Sequence, residues 1–99
     1  MPATVLYIED NADNLLLVRR ALEARGYRVL EAGDGLSGLA VVAQEHPDAV
    51  LLDINLPDVD GYEVARRLKS NPASRAIPVV AITAKALPGD AERALAAGC

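Results

Sequence analysis

The chain has 99 residues, enough for one compact domain and too few for two. Hydrophobic residues make up 52% of it, so a core can be buried, and Leu, Val, Ala and Ile must supply that core because Phe and Trp are absent. The net charge is −4 and the 10 Lys and Arg are scattered, which argues against nucleic acid or an anionic membrane as a partner. The start of the chain lacks the pattern of a signal peptide, and no apolar run approaches the roughly 18 residues of a membrane span. The single Cys99 rules out an internal disulfide, so we expect a soluble, cytoplasmic domain.

Short apolar runs alternate along the chain with helical patterns, which is typical of βαβ units and a parallel sheet. The predicted strands are 4–8, 27–32, 49–52 and 77–83. The predicted helices are 11–25, 36–45 and 62–69, followed by a last helix that Pro88 opens. This order predicts a single α/β domain over residues 1–99.

The first predicted helix carries more apolar residues than one inward face requires. Its predicted inward stripe consists of Leu17, Val18, Ala21 and Leu22. Leu15 and Leu16 fall outside that stripe. They are either peripheral core residues or an apolar docking patch for a kinase or phosphotransfer protein, since exposed apolar patches often mark interaction sites.

Acidic side chains follow two of the predicted strands, where each strand ends. Glu9 and Asp10 come after the first strand and Asp53 after the third. In an open parallel sheet, ligands bind beyond the carboxyl ends of the strands, where the strand order reverses. Three carboxylates at one edge repel one another unless a cation neutralises them, and an all-oxygen ligand set suits Mg²⁺. Single acidic residues at strand ends often serve as helix caps, but three on one edge favour a metal site.

Two further residues are placed to assist this edge. Thr83 ends the fourth predicted strand, where its hydroxyl could donate to an anion held at the metal. Asn55, two residues after Asp53, could offer its backbone carbonyl to the metal. A carboxylate beside Mg²⁺ can accept a phosphoryl group, because the metal neutralises charge on the transferring oxygens.

Three stretches together resemble the receiver domain of two-component response regulators. They are Glu9-Asp10, residues 51–57 with Gly61-Tyr62, and residues 82–84. The resemblance runs through all 99 residues and is strongest to single-domain receivers of the chemotaxis and cell-cycle type. It implies a flavodoxin-like, doubly wound parallel sheet in the order 2-1-3-4. It also implies a phosphorelay partner, either a histidine kinase or a phosphotransfer protein, and a switch in partner binding after phosphorylation.

The resemblance also implies roles for individual residues of the metal site. Asp53 would be the phosphoacceptor, and Asp10, Asp53 and the Asn55 carbonyl would ligate Mg²⁺. Glu9 would help through a water molecule.

Other residues would act on the phosphoryl group itself. Thr83 would be the hydroxyl that moves to meet it, and the side chains of Asn55 and Lys85 would tune how fast water removes it. The chain would then be a phosphoacceptor with Mg²⁺-assisted self-phosphorylation and self-dephosphorylation, not a turnover enzyme.

The family pattern also has a lysine at the end of a fifth strand and an aromatic switch residue on that strand. The 99 residues end before either, and Lys85 is too close to Thr83 to take the lysine's place, so we expect the last strand and helix to be missing. The fourth strand would then be an edge at residues 79–82, open to a homodimer or a domain swap. The alternative function is therefore a non-switching receiver fragment that acts as an interaction or self-assembly module. The sequence leaves open whether 99 residues is a truncation, a natural short form or part of a longer protein.

A rival motif, Gly33-x-Gly35-x-x-Gly38, matches the dinucleotide-binding fingerprint and follows a predicted strand. A pyrophosphate needs its helix N-terminus where the strand order reverses, whereas these glycines follow the second strand, an edge strand in the receiver order. We therefore expect the glycines to serve a tight turn and close packing. The only histidine, His46, is expected to be a solvated helix-end residue and not a phosphoryl donor.

Overall fold

The computed structural model describes residues 3–54 and 56–82. Its elements in chain order are β1 Thr4–Ile8, α1 Ala12–Glu23, β2 Arg28–Ala32, α2 Gly35–Glu45, β3 Ala49–Asp53, α3 Gly61–Ser70 and β4 Val79–Ile82. Each of these elements was predicted, with ends that differ by at most two residues. The helix predicted after Pro88 lies outside the described residues.

The four described strands form one parallel sheet in the order β2-β1-β3-β4. This confirms the predicted fold class and strand order. At the carboxyl edge, Ile8 of β1 is paired with Ala32 of β2 and with Leu52 of β3. Asp53 is in turn paired with Ile82 of β4. The carboxyl ends of all four strands therefore meet at one edge of the sheet.

The helices cover both faces of the sheet. The chain moves one way from β1 to β2 and the opposite way from β2 to β3 and on to β4. Because parallel crossovers are right-handed, α1 lies on one face, and α2 and α3 lie on the other. The main core fills the α2–α3 side, where the largest fully buried side chains are Leu6, Ile8, Val50, Leu52 and Val64. Full burial of each such side chain contributes about 1.5–3 kcal/mol.

Each described helix begins at a polar residue that caps its first turn. The caps are Asn11 for α1, Asp34 for α2 and Asp60 for α3, and each side chain accepts a backbone N–H of its own helix. A cap of this kind contributes about 1 kcal/mol. The caps place all three helix starts just beyond the carboxyl ends of the strands. None of the helices in the described residues is long and apolar enough to cross a membrane.

The predicted inward stripe of α1 is confirmed for Val18 and Leu22 and wrong for Leu17 and Ala21. Leu17 is 70% exposed, and the half-buried residues of α1 are instead Leu15, Val18, Arg19 and Leu22. Leu15, Val18 and Leu22 are spaced i, i+3 and i+7, which puts them on one helical face. The long aliphatic stem of Arg19 joins that face because its guanidinium reaches Glu31 of β2 at 2.9 Å.

The predicted pairing of β4 with another chain stays a prediction. Among the described strands β4 pairs with β3 alone, and Val80 is exposed.

Candidate functional site

The acidic residues lie where the strand order reverses, between β1 and β3. Because Ile8 is paired with Leu52, the residues that follow, Glu9 and Asp53, come level with each other. The Glu9 N–H donates to the Ala32 carbonyl at 3.0 Å, which ties the end of β1 to β2. Ladder hydrogen bonds therefore hold the backbone of this edge in place before any ligand arrives.

The structure brings the three predicted carboxylates together. One carboxylate oxygen from each of Glu9, Asp10 and Asp53 lies within 4.8 Å of the others. Glu9 is 4% exposed and Asp53 8% exposed, whereas Asp10 is open to solvent. At such separations, two ionised carboxylates near a protein surface repel by on the order of 3 kcal/mol. The cluster therefore favours any species that brings positive charge to this edge.

The electrostatic cost falls most clearly on Glu9. Burial raises the pKa of its carboxyl group, and the neighbouring Asp53 carboxylate raises the pKa further. Hydrogen bonds from Asn11 and Tyr7 partly oppose that shift. The three carboxylates thus repel one another, and a bound cation would reduce that repulsion.

Two donors that sequence reasoning missed hold the Glu9 side chain. The Tyr7 hydroxyl donates to Glu9 Oε2 at 3.1 Å, and the Asn11 backbone N–H donates to Glu9 Oε1 at 3.1 Å. Burial and the adjacent Glu9 charge raise the pKa of Tyr7, so its phenol stays protonated and remains a donor. The sequence did contain a signal for the Tyr7–Glu9 contact, because residues two apart on a strand point to the same face.

The donor set fits a divalent cation of the magnesium class. Carboxylate oxygens are hard ligands, and Mg²⁺ characteristically takes one or two protein carboxylates and keeps several waters. One exposed carboxylate beside two buried ones leaves room for those waters on the Asp10 side. Asn55, Thr83 and Lys85 lie outside the described residues, so their predicted roles stay predictions.

The loop after Asp53 is tied to α2 by a link that the sequence did not indicate. The Asp58 carboxylate accepts the N–H of Gly35 at 2.8 Å and the N–H of Leu36 at 2.9 Å. These bonds, that of Leu36 first, lower the pKa of Asp58. The negative charge also suits the positive end of the α2 dipole. Asp58 therefore anchors the loop that leads away from Asp53.

The glycines that resemble a dinucleotide fingerprint have a structural role at the start of α2, next to the Asp58 bonds. The first N–H groups of α2 are already bonded to Asp58, and β2 is an edge strand of the described sheet. A Cβ on Gly35 would overlap Val64 Cγ2, and one on Gly38 would overlap the Ile8 side chain. Gly35 and Gly38 thus allow α2 to pack closely on its neighbours, and the first N–H groups of α2 are not free to hold a pyrophosphate.

A pocket of about 310 Å³ lies between α2 and α3, and its lining includes His46, Arg67 and Ser74. His46 caps the carboxyl end of α2, so the pocket is at the opposite end of the domain from the carboxylates. The Ser74 hydroxyl donates to the Leu68 carbonyl at 2.7 Å and is not free to act as a nucleophile. His46 itself is exposed, as predicted. This pocket does not compete with the acidic edge as a site of chemistry.

The two residues of the predicted docking patch on α1, Leu15 and Leu16, differ in exposure. Leu16 is 49% exposed, and Leu15 is half-buried on the inward face described above. The helix begins two residues after Asp10, so Leu16 lies on an element that starts at the acidic edge.

The sequence profile of the response regulator receiver domain matches residues 5–99. A chain with this profile, this sheet order and acidic residues at the reversal of strand order belongs to the response regulator receiver family. Among curated proteins it is similar to the polar-differentiation response regulator DivK of Brucella anthropi. The two are 43% identical over 99 residues, which is all of this chain and 80% of DivK.

Two solved structures show how closely the fold follows that family. The chemotaxis response regulator CheY4 of Vibrio cholerae superposes with a TM-score of 0.93 at 25% identity, over 100% of this chain and 82% of that one. The receiver domain of a sensor histidine kinase from Pseudomonas aeruginosa PAO1 superposes with a TM-score of 0.89 at 36% identity, over 99% of this chain and 80% of that one. The Pseudomonas structure has a magnesium ion coordinated in its active site cleft.

Proposed function

We propose that this chain is a signalling receiver in which Asp53 accepts a phosphoryl group in a Mg²⁺-dependent reaction. The observation that carries the proposal is the position of the Asp53 carboxylate, largely buried and within 4.8 Å of oxygens from Glu9 and Asp10. Membership of the receiver family and the magnesium ion in the Pseudomonas relative support it.

The residues around Asp53 have different roles in binding the ion. Asp10 and Asp53 would ligate Mg²⁺ directly, and the backbone carbonyl of Asn55 is predicted to join them. Glu9 would hold a metal-bound water. When bound, Mg²⁺ neutralises charge on the oxygens of the transferring phosphoryl group. Glu9 suits the role of binding a water on the metal, because two donors already fix its carboxylate and restrict its rotation.

The chemical step needs one nucleophile and one donor. A carboxylate oxygen of Asp53 forms a new bond to phosphorus, while the bond between phosphorus and a nitrogen of the donor histidine breaks. The electron pair of that bond leaves with the imidazole, and Asp53 becomes an acyl phosphate. With acetyl phosphate as donor, a phosphorus–oxygen bond breaks instead and acetate leaves. The predicted roles of Thr83, which meets the phosphoryl group, and of Asn55 and Lys85, which tune its hydrolysis, complete the proposal.

The donor is a histidine kinase or a phosphotransfer protein of a cytoplasmic phosphorelay, and phosphorylation changes which partners bind. Leu16 provides an exposed apolar contact on α1 for such a donor. Leu15 supports that contact from within the fold, because it is half-buried on the inward face of α1.

The test is to incubate the chain with Mg²⁺ and acetyl phosphate and to measure its intact mass. The expected result is a gain of one phosphoryl group that is lost when EDTA replaces Mg²⁺. Asp53→Asn is the matched variant, since it keeps the shape of the side chain and removes the nucleophile. The same gain in Asp53→Asn, or no gain in a wild-type chain that demonstrably binds Mg²⁺, would contradict the proposal.

A further inference from the structure

Tyr7 is a buried polar residue to which the reaction above gives no role. It lies in the middle of β1, is 2% exposed, and is paired with Glu31 and Leu51 on the neighbouring strands. Nothing about a strand interior requires a hydroxyl there, since an apolar residue of similar size would bury as well. The hydroxyl instead reaches Glu9 Oε2 at 3.1 Å.

The hydrogen bonds of Glu9 show what that hydroxyl does. A carboxylate offers about four lone-pair directions, two on each oxygen. Tyr7 uses one on Oε2 and the Asn11 N–H uses one on Oε1. When protonated, Glu9 also shares a hydrogen bond with the Asp53 carboxylate. In the ionised form, each Glu9 oxygen retains a direction for another donor. The two bonds fix the plane of the carboxylate and leave its remaining acceptor sites available.

We propose that Tyr7 is a positioning residue whose hydroxyl holds the Glu9 carboxylate in the orientation that accepts a Mg²⁺-bound water. This inference rests on the proposed function, because it concerns the same metal site. Three carboxylates within 4.8 Å of one another repel, and a glutamate has enough rotatable bonds to turn away. A donor from the strand interior opposes that movement before the ion arrives. The ordering of Glu9 is then already complete when Mg²⁺ binds.

Tyr7→Phe tests this directly, because it keeps the ring and removes only the hydroxyl. We expect Mg²⁺ affinity, measured by NMR titration of the full chain with MgCl₂, to fall by roughly 10-fold, as is usual when a partner of a metal-site residue is removed. Tyr27→Phe is the matched control, since Tyr27 is 39% exposed and directly precedes β2. It should leave Mg²⁺ affinity unchanged.

A second background separates positioning from packing. In Glu9→Ala there is no carboxylate to hold, so adding Tyr7→Phe should change Mg²⁺ affinity less than twofold. An equal loss in both backgrounds, or no loss in Tyr7→Phe alone, would overturn the inference.

The unmutated chain offers an independent measurement if Tyr7→Phe does not fold. The chain has 3 tyrosines, so ¹³C labelling of their Cζ atoms gives three resolvable signals. Mg²⁺ should shift the Tyr7 signal and leave the Tyr27 signal in place; an unmoved Tyr7 signal would contradict the inference. A wild-type chain that binds no Mg²⁺ at all would instead refute the metal dependence of the proposed function, so the two failures are distinguishable.

Discussion

Replacing Gly61 with alanine should damage both stability and the metal site, because the added Cβ meets backbone. That Cβ would lie 2.6 Å from the Ile54 Cα and 2.7 Å from the Asp53 carbonyl oxygen. Neither atom can move by rotating a side chain, so the end of β3 and the start of α3 must separate by several tenths of an ångström.

The magnitude follows from two opposing contributions. Overpacking against a rigid neighbour costs typically 1–3 kcal/mol, and the backbone position of the clash favours the upper end of that range. Alanine regains up to about 1 kcal/mol of helix propensity over glycine. The net loss in the free energy of unfolding is therefore about 2 kcal/mol. With a urea m value of about 1–3 kcal/mol/M, the unfolding midpoint should fall by about 1 M.

Urea unfolding followed by circular dichroism measures the stability, and NMR titration with MgCl₂ measures the site. Gly33→Ala is the matched control, because its added Cβ meets no atom within 4 Å and its free energy of unfolding should change by less than about 0.5 kcal/mol. Mg²⁺ affinity should fall in Gly61→Ala and not in Gly33→Ala, since the displaced carbonyl belongs to the Asp53 backbone. A Gly61→Ala chain with wild-type stability and wild-type Mg²⁺ affinity would refute the steric reasoning.

Three further predictions concern the Asp58 anchor, the Asp10 carboxylate and the exposed Leu16 on α1. Asp58→Asn should lower the urea midpoint at pH 7, because the folded state holds the pKa of Asp58 below its usual range. That stabilisation is present above the unfolded pKa of about 3.9 and is lost as the pH falls through the folded pKa. A difference in urea midpoint between wild type and Asp58→Asn that persists unchanged in acid would contradict this prediction. Asp10→Asn should make the metal-free chain more stable by up to about 1 kcal/mol, since one of three repelling charges is removed and solvent screens the exposed Asp10 more than a buried pair. The wild type should gain about 2.7 kcal/mol at a Mg²⁺ concentration 100 times its Kd, and Asp10→Asn should lose that response in urea unfolding with and without EDTA. Leu16→Ala should slow phosphotransfer from a cognate phosphohistidine protein and leave the rate with acetyl phosphate unchanged, and equal slowing with both donors would argue against docking.

The positions of the strands were predictable because β1, β3 and β4 are short apolar runs, and β2 alternates apolar and polar residues. The run at Thr4–Ile8 was placed without error, and the reversal of strand order between β1 and β3 followed from the resemblance. The placement of Glu9, Asp10 and Asp53 at one edge then required only that the carboxyl ends of parallel strands meet there.

The inward face of α1 was not predictable from periodicity alone. Residues 15–18 are four consecutive apolar side chains, which cover every direction around the helix and leave its rotation undetermined. The structure settles the rotation: α1 contacts β2, Leu15, Val18 and Leu22 form its half-buried face, and Arg19 pairs with Glu31 of β2.

The Asp58 anchor and the Tyr7 contact escaped prediction for different reasons. Asp58 bonds to the start of α2, more than 20 residues away in the chain, and only the folded structure brings the two together. Tyr7 lies two residues from Glu9, but a tyrosine within an apolar strand is indistinguishable in sequence from a core residue.

The measurement that tests the central claim most directly is chemical trapping of the acceptor residue. The chain is treated with Mg²⁺ and acetyl phosphate and then with borohydride, which reduces an aspartyl phosphate to homoserine, and the product is digested and sequenced by mass spectrometry. Phosphoryl transfer to Asp53 predicts homoserine at position 53, in samples that contain both Mg²⁺ and the donor and in no others. Homoserine at position 10 in place of 53, or conversion at 53 that is independent of Mg²⁺, would contradict the assignment of Asp53 as the magnesium-dependent phosphoacceptor.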